Sequence, residues 1–427
     1  MSSTNWFSEG RFGMFIHWGL YALPAGEWQG KTVSWVAEWI MRKFRIPVAE
    51  YEALAKKFNP VKFNAEQWVK DAHDAGMKYM IFTAKHHDGF AMFHSSWDKF
   101  NIVDATPFKR DVLAELAAAC RKYGMKLGCY YSQDQDWHEA GASGNDWDFP
   151  VKTPEMFQDY INGKVKHQLK EILTNYGEIS VIWFDTPETI TLEQSKDLKE
   201  YVHSFQPECL VSGRVGNGMG DYISLGDNAI PGQFFTTPAE GLGTMNTSWG
   251  YRKDDHAYRS YSQLLQILAK MVSHNANYLL NVGPKGDGAF PAEARQRLKK
   301  IAEFMQQGGA GAVYGAGALG IAVNGGCSWG EVTASKRKVW FWVFKERKEM
   351  ILHGLRSKIK DIKILPTGQK VPFRQDRDDA FDYHKLTIFP VPAGIKKPYL
   401  IEITLQEDLS VNPHAYYAAH KTDLEEK

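Results

Sequence analysis

The run Tyr79-Met80-Ile81-Phe82-Thr83-Ala84-Lys85-His86-His87-Asp88-Gly89-Phe90 begins apolar and ends in imidazoles and a carboxylate. Its first part, Tyr79–Thr83, is almost continuously apolar, as expected of a strand buried on both faces, the condition of a parallel sheet covered by helices. Just upstream, Ala65–Gly76 has a helical pattern with Trp68, Ala72 and Ala75 on one face, and Gly76 stands where a C-terminal cap belongs. A helix followed by a doubly buried strand is half of a βαβ unit.

The same unit repeats outward in both directions. Further strands are expected at Phe12–Trp18, Leu127–Ser132, Ile179–Asp185, Leu210–Gly213 and Tyr278–Val282. Helical patterns lie at Val112–Tyr123, Phe157–Tyr176, Leu192–Phe205, Tyr261–Ala276 and Ala292–Gln307. This alternation implies parallel strands joined by helical crossovers. A doubly wound sheet is the competitor, but no GxGxxG follows the first strand, and polar and aromatic residues crowd the C-terminal strand ends, the active face of a closed barrel. The expectation is a (β/α)8-like, TIM-type barrel over residues 1–320. After Gly315 the pattern changes to short alternating runs at Glu331–Thr333, Val339–Phe344, Glu349–Leu352, Ile359–Leu365, Leu386–Phe389 and Tyr399–Leu405. These predict a C-terminal antiparallel β-sandwich over residues 321–408, with a polar tail at 409–427.

With 427 residues and a 44% hydrophobic fraction, the chain has the material for a large core and a second module. Its 51 basic and 50 acidic residues leave a formal charge of +1. That balance gives no reason to expect nucleic acid or an anionic membrane as partner, and favours a neutral substrate. Four cysteines without a CxxC pair argue against a zinc site or a disulfide scaffold. The opening residues show no basic and apolar leader, and no apolar run suits a membrane span, so a soluble, cytoplasmic chain is expected; a removed leader would make it periplasmic or secreted. Aromatics make up 13% of the chain, with 14 Trp. Cores use them, and so do sites that pack on the C–H faces of sugars.

Four strand ends carry the candidate chemistry. The first runs Met14-Phe15-Ile16-His17-Trp18-Gly19, the second ends in His86-His87-Asp88, the third in Tyr130-Tyr131-Ser132 and the fourth in Trp183-Phe184-Asp185. Singly, each has a plain explanation: His17 as a hydrogen-bonded core histidine, His86-His87 as neighbours pointing apart, Asp185 as a helix N-cap. In a barrel they meet at one mouth. No HExxH or comparable ligand spacing suggests a metal, and no Gly-rich loop suggests a phosphate cofactor. Glycoside hydrolysis needs two carboxyls, one attacking or acting as base and one donating a proton. Asp185 is the natural first. For the second, Asp221, Asp227, Glu240, Asp254 and Asp255 all remain open from the residues alone.

Taken in order, Phe15-Ile16-His17-Trp18-Gly19, Ala37-Glu38-Trp39, Lys85-His86-His87-Asp88-Gly89-Phe90, Tyr130-Tyr131-Ser132, Trp183-Phe184-Asp185, Ser248-Trp249-Gly250-Tyr251 and Asn281-Val282-Gly283-Pro284 resemble the α-L-fucosidases over nearly the whole chain. The resemblance implies a retaining glycoside hydrolase with Asp185 as nucleophile and no cofactor. It implies that His17, Glu38, Trp39, His86, His87, Tyr131, Trp183, Arg214 and Trp249 hold the sugar. Between Tyr130 and Tyr131, strand alternation lets one face inward, and Tyr131 is the one chosen. Aligning Thr244-Met245-Asn246 and Trp249-Gly250-Tyr251 on the branch that cuts α-1,3 and α-1,4 linkages makes Glu240 the acid/base, although Pro238-Ala239 replaces that branch's usual Trp context. The Gly26-Glu27-Trp28 segment points to the same branch. The implied partner is a fucosylated oligosaccharide, and a homo-oligomer is compatible with the sequence. A non-catalytic fucose-binding protein and a related α-L-glycosidase, such as one acting on α-L-galactosides, are the alternatives.

Overall fold

The computed structural model describes residues 5–320, 327–345, 347–389 and 394–413. The chain forms two compact units. One comprises Met1–Asn228, Thr237–Arg259 and Leu279–Lys299, the other Ala229–Thr236, Ser260–Tyr278 and Lys300–Lys427.

An eight-stranded sheet dominates the first unit. Its strands are β1 Phe12–Ile16, β2 Tyr79–Lys85, β3 Lys126–Tyr131, β4 Val181–Phe184, β5 Leu210–Val211, β6 Ile223–Asp227, β7 Ala239–Thr244 and β8 Asn277–Val282, in the spatial order β5-β4-β3-β2-β1-β8-β7-β6. That is the cyclic order of a (β/α)8 barrel with its seam between β5 and β6. At the seam, Asp221 replaces a ladder rung. Its N–H donates to Val211 O at 2.8 Å, and its Oδ2 accepts the Val211 N–H at 2.8 Å. This settles Asp221 as a closing element of the barrel wall. The crossovers are α1 Ala65–Asp74, α2 Val112–Tyr123, α3 Lys166–Asn175 and α4 Leu192–Phe205. Each start has a local cause where a cap is present: Asn64 and Asp111 accept from Gln67 and Ala114 N–H, and Thr191 forms a capping box with Gln194. Gly124 ends α2 at φ 65° and Gly76 follows α1 at φ 87°, the left-handed geometry the sequence pattern anticipated.

Inside the barrel, Phe15, Tyr79, Ile81, Tyr130, Val181, Trp183, Leu242 and Leu279 form one buried cluster. Gly13 makes room for it: a Cβ there would stand 2.5 Å from the Tyr79 ring. The register pairs Phe15 with Ile81, Thr83 with Tyr130, and Tyr130 with Trp183. Alternation along β3 therefore sends Tyr130 inward and Tyr131 outward.

Two barrel strands, β6 and β7, were not anticipated. Ile223-Ser-Leu-Gly-Asp227 is largely exposed, and Ala239-Glu-Gly-Leu-Gly-Thr244, though buried, is broken by glycines, so neither has the apolar run of the other strands.

The second unit contains two antiparallel sheets. With β9 Gly330–Ala334, β10 Lys338–Val343, β11 Met350–His353, β12 Ile359–Ile364, β13 Phe373–Asp378, β14 Tyr383–Ile388 and β15 Tyr399–Leu405, the orders are β9-β10-β15-β12 and β11-β14-β13. Val339, Phe341, Ile362, Ile401 and Ile403 from one sheet and Met350, Leu352, Leu386 and Ile388 from the other share one apolar core, which makes a sandwich. The polar edge strand β13 has no hydrophobic signature and escaped the sequence reading. The expected boundary at residues 320 and 321 abuts 321–326, and most of the expected tail is 414–427; both stretches lie outside the described residues. The start of that tail belongs to the sandwich, because the Leu409 N–H donates to Lys336 O and the Arg356 N–H to Ser410 O. Among the described residues no helix is long and apolar enough to cross a membrane.

Candidate active site

A pocket of about 420 Å³, counting its open mouth, lies at the C-terminal ends of the barrel strands. Asp185, the residue after β4, faces into it with a side chain only 11% exposed. It is not a helix cap, since Thr191 caps α4. Its Oδ1 accepts from Arg214 Nη1 at 2.8 Å, and its Oδ2 accepts from the Tyr130 hydroxyl at 2.8 Å. Gln133 fixes its backbone: Oε1 accepts the Asp185 N–H at 2.9 Å while Nε2 donates to Arg214 O at 3.0 Å. Burial works to raise the carboxyl's pKa, but the Arg214 guanidinium, His87 and the Tyr130 hydroxyl outweigh it, and the net shift is downward. Asp185 is therefore held as an ionised carboxylate facing the pocket.

Arg214 reaches a second carboxylate. Its Nη2 donates to Asp227 Oδ1 at 2.5 Å, and its guanidinium lies 4.9 Å from the Trp183 ring centroid. Asp227 lines the pocket with a side chain 47% exposed, so it stands at the rim where Asp185 stands on the floor.

Three histidines line the wall, and burial lowers the pKa of each, of His17 to about 4 and of His87 to about 3. They are neutral at physiological pH. Two have their tautomers set by their partners. Asn281 Nδ2 donates to Trp249 O at 2.7 Å, which turns its Oδ1 to accept from His17 Nδ1 at 2.7 Å. Ser132 spends its proton on Gln135 O at 2.6 Å, so its Oγ accepts from His87 Nδ1 at 2.6 Å. Both rings carry the proton on Nδ1; the Nε2 of His87 faces the Tyr130 hydroxyl at 3.5 Å and Asp185 Oδ2 at 3.7 Å. His86 Nδ1 is buried without a hydrogen-bond partner. So is Glu38 Oε1, whose sister oxygen accepts from the Gly250 N–H at 2.8 Å. Burial pushes the Glu38 carboxyl up to about 8. Trp39, Trp183 and Trp249 supply apolar surface to the same pocket.

The structure thus brings His17, Glu38, Trp39, His86, His87, Trp183, Asp185, Arg214 and Trp249 together. Two expected residues fall elsewhere. Tyr131 is fully buried on the outer side of β3, where its hydroxyl donates to Gln168 Oε1 at 2.8 Å; Tyr130 takes the place expected of it. Glu240 is fully buried and does not line the pocket. Its Oε1 accepts from Trp183 Nε1 at 2.8 Å and its Oε2 from the Tyr79 hydroxyl at 2.8 Å, with the Tyr222 hydroxyl at 3.5 Å. Burial raises its pKa to about 7, and the Trp183 indole N–H and the Tyr79 and Tyr222 hydroxyls enclose the carboxyl away from the pocket lining. Of the five carboxylates left open as the second group, Asp227 is the one that lines the pocket. Gln133 carries no sequence signal, because it acts on the backbone of Asp185 and Arg214, whereas Ser132 and Asn281 stand within the motifs and orient His87 and His17.

In the motif His86-His87-Asp88-Gly89, Gly89 has φ 78°, and a Cβ there would meet Asp136 Oδ1 at 2.3 Å. Buried Asp136 in turn accepts from Lys85 Nζ at 2.7 Å and pairs with Lys164 at 3.0 Å. Among the described residues, Asp98, His138 and Glu139 bring potential metal-ligand atoms within 4.8 Å of one another. Lys164 Nζ already stands 3.2 Å from Glu139 and 3.8 Å from Asp98.

The mouth of the barrel thus holds an ionised carboxylate on its floor, a second carboxyl group at its rim, neutral histidines and tryptophans, the kinds of group that a glycosidase uses. Comparison with known proteins specifies which. A family model described as Alpha-L-fucosidase matches residues 1–310. A curated relative from Caenorhabditis elegans is 29% identical over 323 residues, covering 70% of this chain and 64% of the relative. The crystal structure of an α-L-fucosidase from Vibrio sp. strain EJY3 superposes with a TM-score of 0.89 at 33% identity, covering 96% of this chain and 74% of that one. The α-L-fucosidase AlfC from Lactobacillus casei, solved with α-L-fucose, is 42% identical with a TM-score of 0.68, covering 72% of this chain and 99% of AlfC. The chain belongs to the α-L-fucosidase family of glycoside hydrolases.

Proposed function

We propose that the chain hydrolyses terminal α-L-fucosides with retention, using Asp185 as nucleophile and Asp227 as acid/base. The observation that carries this reading is the Arg214 guanidinium shared by both carboxylates, one nitrogen to each. A shared cation draws the two carboxyl groups toward one another across the pocket, and retaining chemistry calls for such a pair about 5–5.5 Å apart. In the first step an Asp185 oxygen attacks C1 of the fucosyl group, the bond from C1 to the leaving oxygen breaks, and that oxygen takes the proton carried by the protonated form of Asp227. In the second, a water oxygen attacks C1 while Asp227 accepts its proton, the ester to Asp185 breaks, and fucose leaves with its original configuration. His17 accepts from a sugar hydroxyl through Nε2, and Glu38, His86 and His87 complete the polar wall around the ring.

The expectation of α-1,3 and α-1,4 linkages leaned partly on the alignment that made Glu240 the acid, and the burial of Glu240 removes that support. AlfC has been solved with Fucα(1,6)GlcNAc, which supports α-1,6-linked fucose as a substrate here. A non-catalytic fucose-binding role is disfavoured by the two carboxyl groups brought to one guanidinium, since binding a neutral sugar needs no such pair.

Azide rescue tests the assignment. Asp185→Ala should bind L-fucose, lose turnover, and with azide release β-L-fucosyl azide from an activated fucoside. Asp227→Ala should release α-L-fucosyl azide, because azide then intercepts the covalent intermediate. Rescue at Glu38→Ala instead of Asp227→Ala would transfer the acid role to Glu38.

A further inference from the structure

We propose that Trp35 is the platform of a leaving-group subsite, taking the pyranose ring to which the fucosyl group is attached; this rests on the fucosidase reading above. Trp35 is 50% exposed and lies at the rim of the pocket. A single exposed aromatic residue carries no message by itself, but this one is held rigidly. Lys43 Nζ lies 5.0 Å from its ring centroid, and Trp39 packs against it at 5.6 Å, tilted by 54°. The Trp35 carbonyl accepts from Arg252 Nη1 at 2.8 Å, and Arg252 is itself gripped by both oxygens of Asp254 at 2.7 and 2.9 Å. The next residue, Val36, is buried in the barrel cluster, and the Ala37 N–H donates to Ser248 Oγ at 2.9 Å. The backbone that carries the indole is therefore fixed on both sides, Lys43 and Trp39 lie against the ring, and half of the residue remains open to solvent.

Its position matches the chemistry. With Asp185 on the floor and Asp227 at the rim, the fucosyl ring fills the pocket and the leaving oxygen sits at the mouth. The group on that oxygen must then lie over the rim. Pyranose rings have an apolar C–H face and a hydroxylated edge, and an indole flanked by charged groups suits both. Arg42, whose guanidinium lies 5.2 Å from the ring centroid of the neighbouring Trp39, offers donors, and Glu188 Oε1, 3.9 Å from its Nη1, offers an acceptor. Side chains of both Arg42 and Glu188 are partly exposed there.

The test compares two leaving groups on the full chain. α-L-Fucosyl fluoride departs as a single atom and never touches the rim, whereas Fucα(1,6)GlcNAc departs as a pyranose. For Trp35→Ala, kcat/KM on the disaccharide should fall about tenfold, mainly through KM, and on the fluoride by no more than about twofold. Trp35→Phe, which keeps a smaller ring, should recover part of the loss on the disaccharide. Equal losses on both substrates would overturn the subsite and make Trp35 a support for the pocket. An unchanged disaccharide rate would also overturn it. If the unmutated chain turned over neither substrate and did not bind L-fucose, the fucosidase reading would fall, and the subsite with it.

Discussion

Thr186, directly after the proposed nucleophile, has φ 47°, a left-handed conformation that a β-branched side chain adopts only under constraint. The constraint is visible on both sides. Gln133 holds the Asp185 N–H at 2.9 Å, and the fully buried Asp134 accepts from the N–H groups of Thr189 and Ile190 at 2.6 and 2.9 Å, leaving the chain between them little choice of path. The left-handed region costs an L-residue about 1–2 kcal/mol. Glycine would remove that cost, but its freer unfolded state takes back about 0.5–1 kcal/mol. The balance favours the substitution by about 1 kcal/mol, or about 2–4 °C in the melting temperature of a large domain. Thr186→Gly should therefore melt higher than the unmutated chain when followed by circular dichroism, while losing several-fold in kcat/KM on α-L-fucosyl fluoride as Asp185 loses its fixed direction. Thr186→Ala, which relieves the branching but not the backbone, should fall between them in melting temperature. A lower melting temperature for Thr186→Gly would mean that the conformation costs less than glycine's added freedom, and the strain argument would fail.

Three further outcomes follow from the site. Because burial lifts the Glu38 carboxyl above its ordinary 4.5 to about 8, its stabilising contribution is complete below the ordinary value and is lost as pH rises through about 8. Melting temperatures recorded from about pH 7 to about pH 9 should fall more steeply for the unmutated chain than for Glu38→Gln, and parallel slopes would contradict this. The two tyrosines of β3 should separate cleanly. Tyr130→Phe removes a donor from ionised Asp185 and should move the acid limb of the kcat/KM profile to higher pH; Tyr131→Phe should leave that limb in place and cost about 1 kcal/mol in chemical denaturation, for the hydrogen bond to Gln168. Glu240→Gln turns an amide N–H toward one of the donors around it and should cost about 1–3 kcal/mol of stability, with no azide rescue of turnover.

The chain's own order of residues determined the barrel and the chemistry of its mouth. Doubly buried apolar runs alternating with capped helices leave few other folds, and strand ends at His17, His86, His87 and Asp185 fall on one face of a barrel whatever the loops do. Local pattern also sufficed for most of the sandwich. It failed for β6, β7 and β13, where glycine or polar residues erase the hydrophobic period while neighbouring strands supply the pairing. Tertiary structure alone decided matters of direction. Tyr130 and Tyr131 are equivalent by alternation until the register with Trp183 says which is inward, and register depends on the partner strand. Glu240 and Asp227 are both carboxylates on short strands beyond the seam, yet one is sealed under an indole by Tyr79 and Trp183 and the other reaches Arg214 at the rim. A sequence records which side chains are present; only the folded barrel determines which of them share a cavity and which face away from it.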